Sequence, residues 1–197
     1  MDKTEGKALT MPQYEKPELN ALYLAKLGLI DAAVRAYGDI LWLDAGYLFS
    51  QKYRHQVPEG WKGYDRAGLD ALLGGTMADY ARRGRPYLSG FYRKPRWYKP
   101  RKEFLHGATW SQMSRLARHF HARRDRIYVN ASLLFIPGAY WRERYPFLVE
   151  IWKFMEAQGI PGTEENVLSV LRWVDGLDTF SVEDGPDYML GLRYPPS

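Results

Sequence analysis

Asp39-Ile40-Leu41-Trp42-Leu43-Asp44-Ala45-Gly46 is a short apolar run closed by an acid and a glycine turn. An uninterrupted apolar run that follows a helix and stops at a turn reads as a buried parallel strand, since both of its faces must be covered. Asp44, at the strand's carboxyl end, falls where open α/β sheets bind their ligands. Upstream, Leu19, Tyr23, Leu27, Ile30 and Val34 recur at steps of four, four, three and four, the stripe of an amphipathic helix that Gly38 stops. Ahead of that helix, residues 1–18 read as a flexible N-terminal arm, with Pro12 and Pro17 in a polar setting.

Downstream, residues 51–64 read as loop and residues 66–82 as a helix weakened by Gly74-Gly75. Residues 84–108 set Pro86, Pro95 and Pro100 among Tyr, Trp, Arg and Lys, a basic, aromatic-rich insertion of loop or irregular strand. Ser111 to Arg123 predicts a basic helix, and Ile127 to Ile136 a second apolar strand ended by Pro137-Gly138. Trp141, Tyr145, Leu148, Trp152 and Met155 form the next helical stripe, of core residues, and Gly159 ends it. Thr163 caps a helix running through Val174, with Glu164 and Glu165 in its first turn. Short strands at Asp178–Val182 and Tyr188–Leu192 close the chain. Helices alternating with short apolar strands predict the α/β class, one domain over residues 19–197 with a short mixed sheet flanked by helices.

The chain has 197 residues, 46% of them apolar and 26% charged, enough for a sizeable core. It contains no cysteine, which rules out disulfides, zinc–thiolate sites, iron–sulfur clusters and thiol nucleophiles. No glycine-rich dinucleotide or phosphate loop is present, so neither a redox cofactor nor a P-loop nucleotide is expected. His119 and His121 are two apart and point in different directions on a helix, which argues against a shared metal. Residues 1–10 are polar and charged, and the longest uncharged stretch, Ile127 to Trp141, includes Asn, Ser, Pro and Gly. A membrane-spanning helix needs about 20 apolar residues, so a soluble, cytoplasmic protein is expected. Charge is concentrated: residues 82–126 hold 14 Lys and Arg against Glu103 and Asp125, while the rest of the chain is net acidic. Such a segment attracts anionic partners, nucleic acid among them.

Three segments resemble the glycosyltransferases of the GT-A type. Lys26-Leu27-Gly28-Leu29-Ile30-Asp31-Ala32-Ala33, followed by Trp42-Leu43-Asp44-Ala45-Gly46, is similar to a Lys-led helix before a W-l-D-a-D strand. The Gly46 ending is closest in pattern to the W-I-D-A-G of the bacterial HtrL/YibB-like family. Tyr128-Val129-Asn130-Ala131-Ser132-Leu133-Leu134-Phe135, with Trp141-Arg142 after it, resembles the f-N-a-G-v-l-l…W-r strand and helix. Thr163-Glu164-Glu165-Asn166-Val167-Leu168 resembles the acidic D-E-q-n-v-l start of a later helix.

The resemblance implies a reduced, Rossmann-like GT-A domain that moves a sugar from a nucleotide-sugar donor to an acceptor. Asp44 would be catalytic, touching a Mn²⁺ or Mg²⁺ ion or the nucleotide ribose. Asn130 would orient sugar through its amide, and Glu164 would bind sugar hydroxyls or act as the base of an inverting transfer. Charge alone nominates Arg93, Lys94 and Arg96 to meet the diphosphate. Gly46 stands in place of the second acid of the family's Asp-x-Asp, and about forty residues precede Asp44, so a partner chain supplying the nucleotide-binding half is one expectation. Two other classes stay open. One is a nucleic-acid-binding protein acting through residues 82–126, where Tyr87, Phe91, Trp97 and Tyr98 interleave with basic residues, and where Trp110 lies outside any clean stripe. The other is a non-catalytic structural or assembly protein derived from a glycosyltransferase fold.

Overall fold

The computed structural model of the chain describes residues 17–43, 82, 84–92, 104–105, 108–125, 127–160, 162–177 and 179–181. The first helix, α1 (Pro17–Tyr37), opens on a proline just ahead of the apolar stripe. Proline suits the first helical position, where its missing N–H has no partner to lose. Leu27, Ile30 and Val34 are buried as the stripe requires, and so are Lys26 and Asp31, which widen the buried face with two charges.

After α1 come β1 (Ile40–Leu43), β2 (Tyr87–Tyr92), β3 (Phe104–Leu105) and β4 (Ala108–Thr109). Next are α2 (Trp110–His119), β5 (Ile127–Ile136), α3 (Gly138–Ala157), α4 (Glu164–Asp175) and β6 (Thr179–Ser181). Four strands make one sheet in the order β1-β5-β2-β6, and β3 pairs with β4. β5 runs antiparallel to both β1 and β2, while β6 is parallel to β2. The mixed helix–strand class is as expected, but β1 is not the parallel strand that its sequence predicts. Ile40 lies opposite Ile136 and Leu43 opposite Leu133 in antiparallel register. An apolar run reports that its faces are covered; direction is set by the partner strand, far along the chain.

Of the two readings of residues 84–108, loop or irregular strand, residues 87–92 take the second, and they lie inside the sheet between β5 and β6. Their pairing with β5 shifts register between Leu88, opposite Leu134, and Gly90, opposite Val129. The extra β5 residues fall around Asn130–Ser132, so that stretch leaves the regular ladder as a bulge. The expected helix over 66–82, the loop over 51–64 and the strand at 188–192 lie outside the described residues, apart from Arg82, which is helical.

The core lies where α4 packs against β5, with α1 and α3 against each other and against α4, and α2 also on α4. Glu164 and every residue from Asn166 to Trp173 are buried, so α4 is enclosed around most of its circumference. Trp141, Leu148 and Met155 of the α3 stripe are buried, and Tyr145 and Trp152 pack against them half-buried.

One edge of β5 is completed by side chains. The described β1 pairing ends at Leu133, and beyond it α4 meets the β5 backbone. The N–H of Ala131 donates to Glu165 Oε1 at 3.4 Å and that of Val129 to Ser169 Oγ at 2.9 Å. The carbonyl of Ile127 accepts from Trp173 Nε1 at 3.1 Å. Every fourth residue of the helix thus serves every second residue of the strand. Four helical residues advance about 6.0 Å and two strand residues about 6.6–6.8 Å, so the two periods stay in step over this span.

The helix ends explain where the elements stop. α2 starts with a reciprocal capping box, Thr109 Oγ1 accepting from the Gln112 N–H at 3.1 Å and Gln112 Oε1 from the Thr109 N–H at 2.7 Å. It ends at His119 rather than at the expected Arg123, because His121 adopts a left-handed φ of 53°. The His121 N–H then donates to Arg118 O at 3.2 Å and the Ala122 N–H to Ala117 O at 2.7 Å, the paired bonds of a Schellman stop. α4 is capped by Thr163 as its sequence predicts, the hydroxyl accepting from the Asn166 N–H at 3.2 Å, and stops at a left-handed Gly176. The start of α3 is capped from elsewhere: Asp39 Oδ1 accepts from the Gly138 N–H at 2.8 Å. A Cβ on Gly138 would lie 2.8 Å from the backbone carbonyl carbon of Gly38, so this approach of two turns admits only glycine.

Candidate functional site

α1 delivers Lys26 into the space between β1, the bulge of β5 and the first turn of α4. Its Nζ donates to the Ala131 carbonyl at 2.5 Å and lies 3.4 Å from Glu164 Oε1. The same ammonium stands 5.5 Å from the centre of the Trp42 ring. Lys26 and Glu164 are 7% and 4% exposed, which makes them a buried ion pair. Such a pair gains strong Coulomb attraction but loses the hydration of both ions.

Glu164 sits in the first turn of α4, where the helix dipole favours a carboxylate. Burial acts more strongly in the opposite sense, and the neighbouring Glu165 adds repulsion. Against the pull of Lys26, these raise the Glu164 carboxyl from 4.5 to about 7. Its Oε1 faces Lys26, while Oε2 has no hydrogen-bond partner among the described residues. A carboxyl that titrates near neutrality, with one oxygen anchored and one unengaged, is equipped to take up and release a proton.

At the opposite end of α4, Asp175 accepts from Arg144 Nη2 at 2.7 Å and from the Tyr140 hydroxyl. Burial and the Asp175 carboxylate push the Tyr140 hydroxyl far above its ordinary range. Arg172 donates to both oxygens of Asp125, at 2.8 and 2.7 Å. Both oxygens of each of these carboxylates are bonded, as in structural clamps, in contrast to Glu164.

The expected site residues divide as follows. Glu164 is in the cluster. Asn130 lies on β5 beside Ala131, in the bulge, although its side chain is outside the described part of the structure. Asp44, Arg93, Lys94 and Arg96 lie outside the described residues; Leu43, which precedes Asp44, lies opposite Leu133. The residue that sequence reasoning overlooked as a functional group is Lys26. It lies four residues before Ile30 and so shares the buried face of α1. A lysine at that spacing is the signal that was present.

Among the described residues no three His, Asp or Glu side chains gather that could hold a metal ion. Moreover, the Lys26 ammonium already holds the position beside Glu164 Oε1 that a cation would take. Comparison of the chain with protein-family models, curated proteins and solved structures gave no match.

Proposed function

We propose that the chain is a glycosyltransferase-like protein that passes a sugar from a nucleotide-sugar donor to an acceptor hydroxyl, with Glu164 as the base. One observation carries this reading: the three segments that bear the family resemblance meet at a single ammonium group. Lys26 and Trp42 belong to the first segment, Ala131 to the second and Glu164 to the third, and Ala131 and Glu164 are 105 and 138 residues from Lys26 in the chain.

In this reading the Glu164 carboxylate takes the proton of the acceptor hydroxyl as that oxygen bonds to the anomeric carbon. The bond from that carbon to the diphosphate breaks, and the nucleoside diphosphate leaves with the electron pair. A base whose pKa lies near the working pH suits the step, and Lys26 keeps a share of Glu164 ionised at neutrality. Asp44 and Asn130 hold the donor, and Arg93, Lys94 and Arg96 meet its phosphates.

The test is thermal shift against nucleoside diphosphates and nucleotide sugars, with and without Mn²⁺, together with a transfer assay. A ligand that binds the native state raises the melting temperature by mass action. One nucleotide should shift the wild type and Glu164→Gln alike but lose its effect on Asp44→Asn, while Glu164→Gln binds the donor without transferring. Undiminished transfer by Glu164→Gln, or no shift with any nucleotide, would overturn the proposal.

A further inference from the structure

Between Phe104 and Arg124 the chain has no Asp or Glu, yet it holds Arg115, Arg118, Arg123 and Arg124. Arg115 and Arg118 are exposed on α2 and, three residues apart, share a face. The left-handed turn at His121 reverses the chain, and Arg124 returns to the start of the helix. There its guanidinium carbon lies 3.5 Å from the centre of the Trp110 ring, and its Nη1 donates to Trp110 O at 3.4 Å and to Ser114 Oγ. Arg124 is thereby folded back onto the helix that bears Arg115 and Arg118, and Arg123, exposed, precedes it in the chain. α2, about 15 Å long, and the turn after it thus form a basic ridge that carries exposed Arg115, Arg118 and Arg123, with Arg124 stacked on Trp110, itself 37% exposed.

Among the described residues no carboxylate pairs with Arg115, Arg118 or Arg123; the one acid beside them in sequence, Asp125, is taken by Arg172. Arg115 contacts only a neutral group, Gln158 Oε1, at 3.3 Å. Arg115, Arg118 and Arg123, with no carboxylate partner among the described residues, and an exposed indole match a chain of phosphates carrying unpaired bases. Arginine forks bind phosphate oxygens, and an aromatic face stacks on any base that is free of a duplex.

We propose that the α2 ridge, with its folded-back Arg124 and the exposed Arg123 before it, binds single-stranded nucleic acid. It shares no residue with the Lys26–Glu164 cluster, so it stands or falls independently of sugar transfer. The test is fluorescence anisotropy of the full chain with a labelled oligo-dT of about 20 nucleotides, from about 50 to 200 mM salt. Each phosphate contact on a single strand contributes about 0.7 to the slope of log K against log salt. Arg118→Ala/Arg123→Ala should therefore lower that slope by about 1.4 and weaken binding, while Arg142→Ala, on the first turns of α3, leaves both unchanged. Trp110→Leu should weaken oligo-dT at least about fivefold without altering the binding of inorganic polyphosphate. Circular dichroism verifies folding, and if Trp110→Leu unfolds, the surface double variant carries the test. Unchanged binding by the double variant overturns the proposal. So does polyphosphate or a duplex of equal length bound as tightly as oligo-dT, since either result describes a surface blind to bases.

Discussion

At Glu164 burial works against the attraction of Lys26, and the balance has a sign that can be measured. Its carboxyl rises from 4.5 to about 7 on folding, so the folded chain binds that proton more tightly than the unfolded one. Stability from this group is therefore complete below about pH 4.5 and is lost as the pH rises through about 7. Urea denaturation should show stability falling between pH 5 and pH 8 by on the order of 1–3 kcal/mol, and Glu164→Gln should remove that slope. A wild-type profile flat across this range would show that Glu164 is ionised in both states. The residue itself was legible, as an acid in the first turn behind the Thr163 cap. Its environment was not, because the lysine that faces it comes from another helix, 138 residues earlier in the chain.

Among the elements, α4 has two tasks, since it packs around most of its circumference and also completes the edge of β5. Its polar residues carry that second task, and Ser169 is the clearest case. The fully buried Ser169 hydroxyl accepts from the Val129 N–H at 2.9 Å and donates to the Glu165 carbonyl at 2.7 Å. Ser169→Ala leaves the Val129 amide buried and unpaired, which costs about 1–3 kcal/mol. Hydrogen exchange at Val129 should accelerate in that variant; unchanged protection would mean that the amide has another acceptor. The existence of α1, β5, α3 and α4 follows from their apolar patterns, and the ends of three of these elements from Gly38, Gly159 and Thr163. The end of α2 was misread because the left-handed residue there is His121, where a search for glycine or asparagine finds nothing. β2 was read only as loop or irregular strand because its Ser89-Gly90 step is poor strand sequence.

At the scale of the molecule, Lys26 joins α1 to β1, β5 and α4 through one side chain. Removing one member of a buried pair strands the other charge, at about 3–5 kcal/mol, whereas removing both spares most of that. Lys26→Met and Glu164→Leu should each destabilise the fold more than the two together, as measured by chemical denaturation in a double-mutant cycle. Additive losses would mean that the two groups do not sense each other. The mixed helix–strand class was readable in the chain as a whole, because it depends on local periodicity. The antiparallel direction of β1 and the meeting of the three family-like segments were not, because both depend on pairings between distant parts of the sequence. Among the described residues, no helix is long and apolar enough to cross a membrane.

The 138 residues between Lys26 and Glu164 also set an order of events during synthesis. At about 5–20 residues per second, Lys26 leaves the ribosome roughly 7–28 s before its counter-ion does. Through that interval α1 presents Leu27, Ile30 and Val34 with a bare ammonium among them. A charge set within an apolar face is a gatekeeper against premature association. The same lysine that is neutralised at the centre of the finished protein thus guards the nascent chain until its partner arrives.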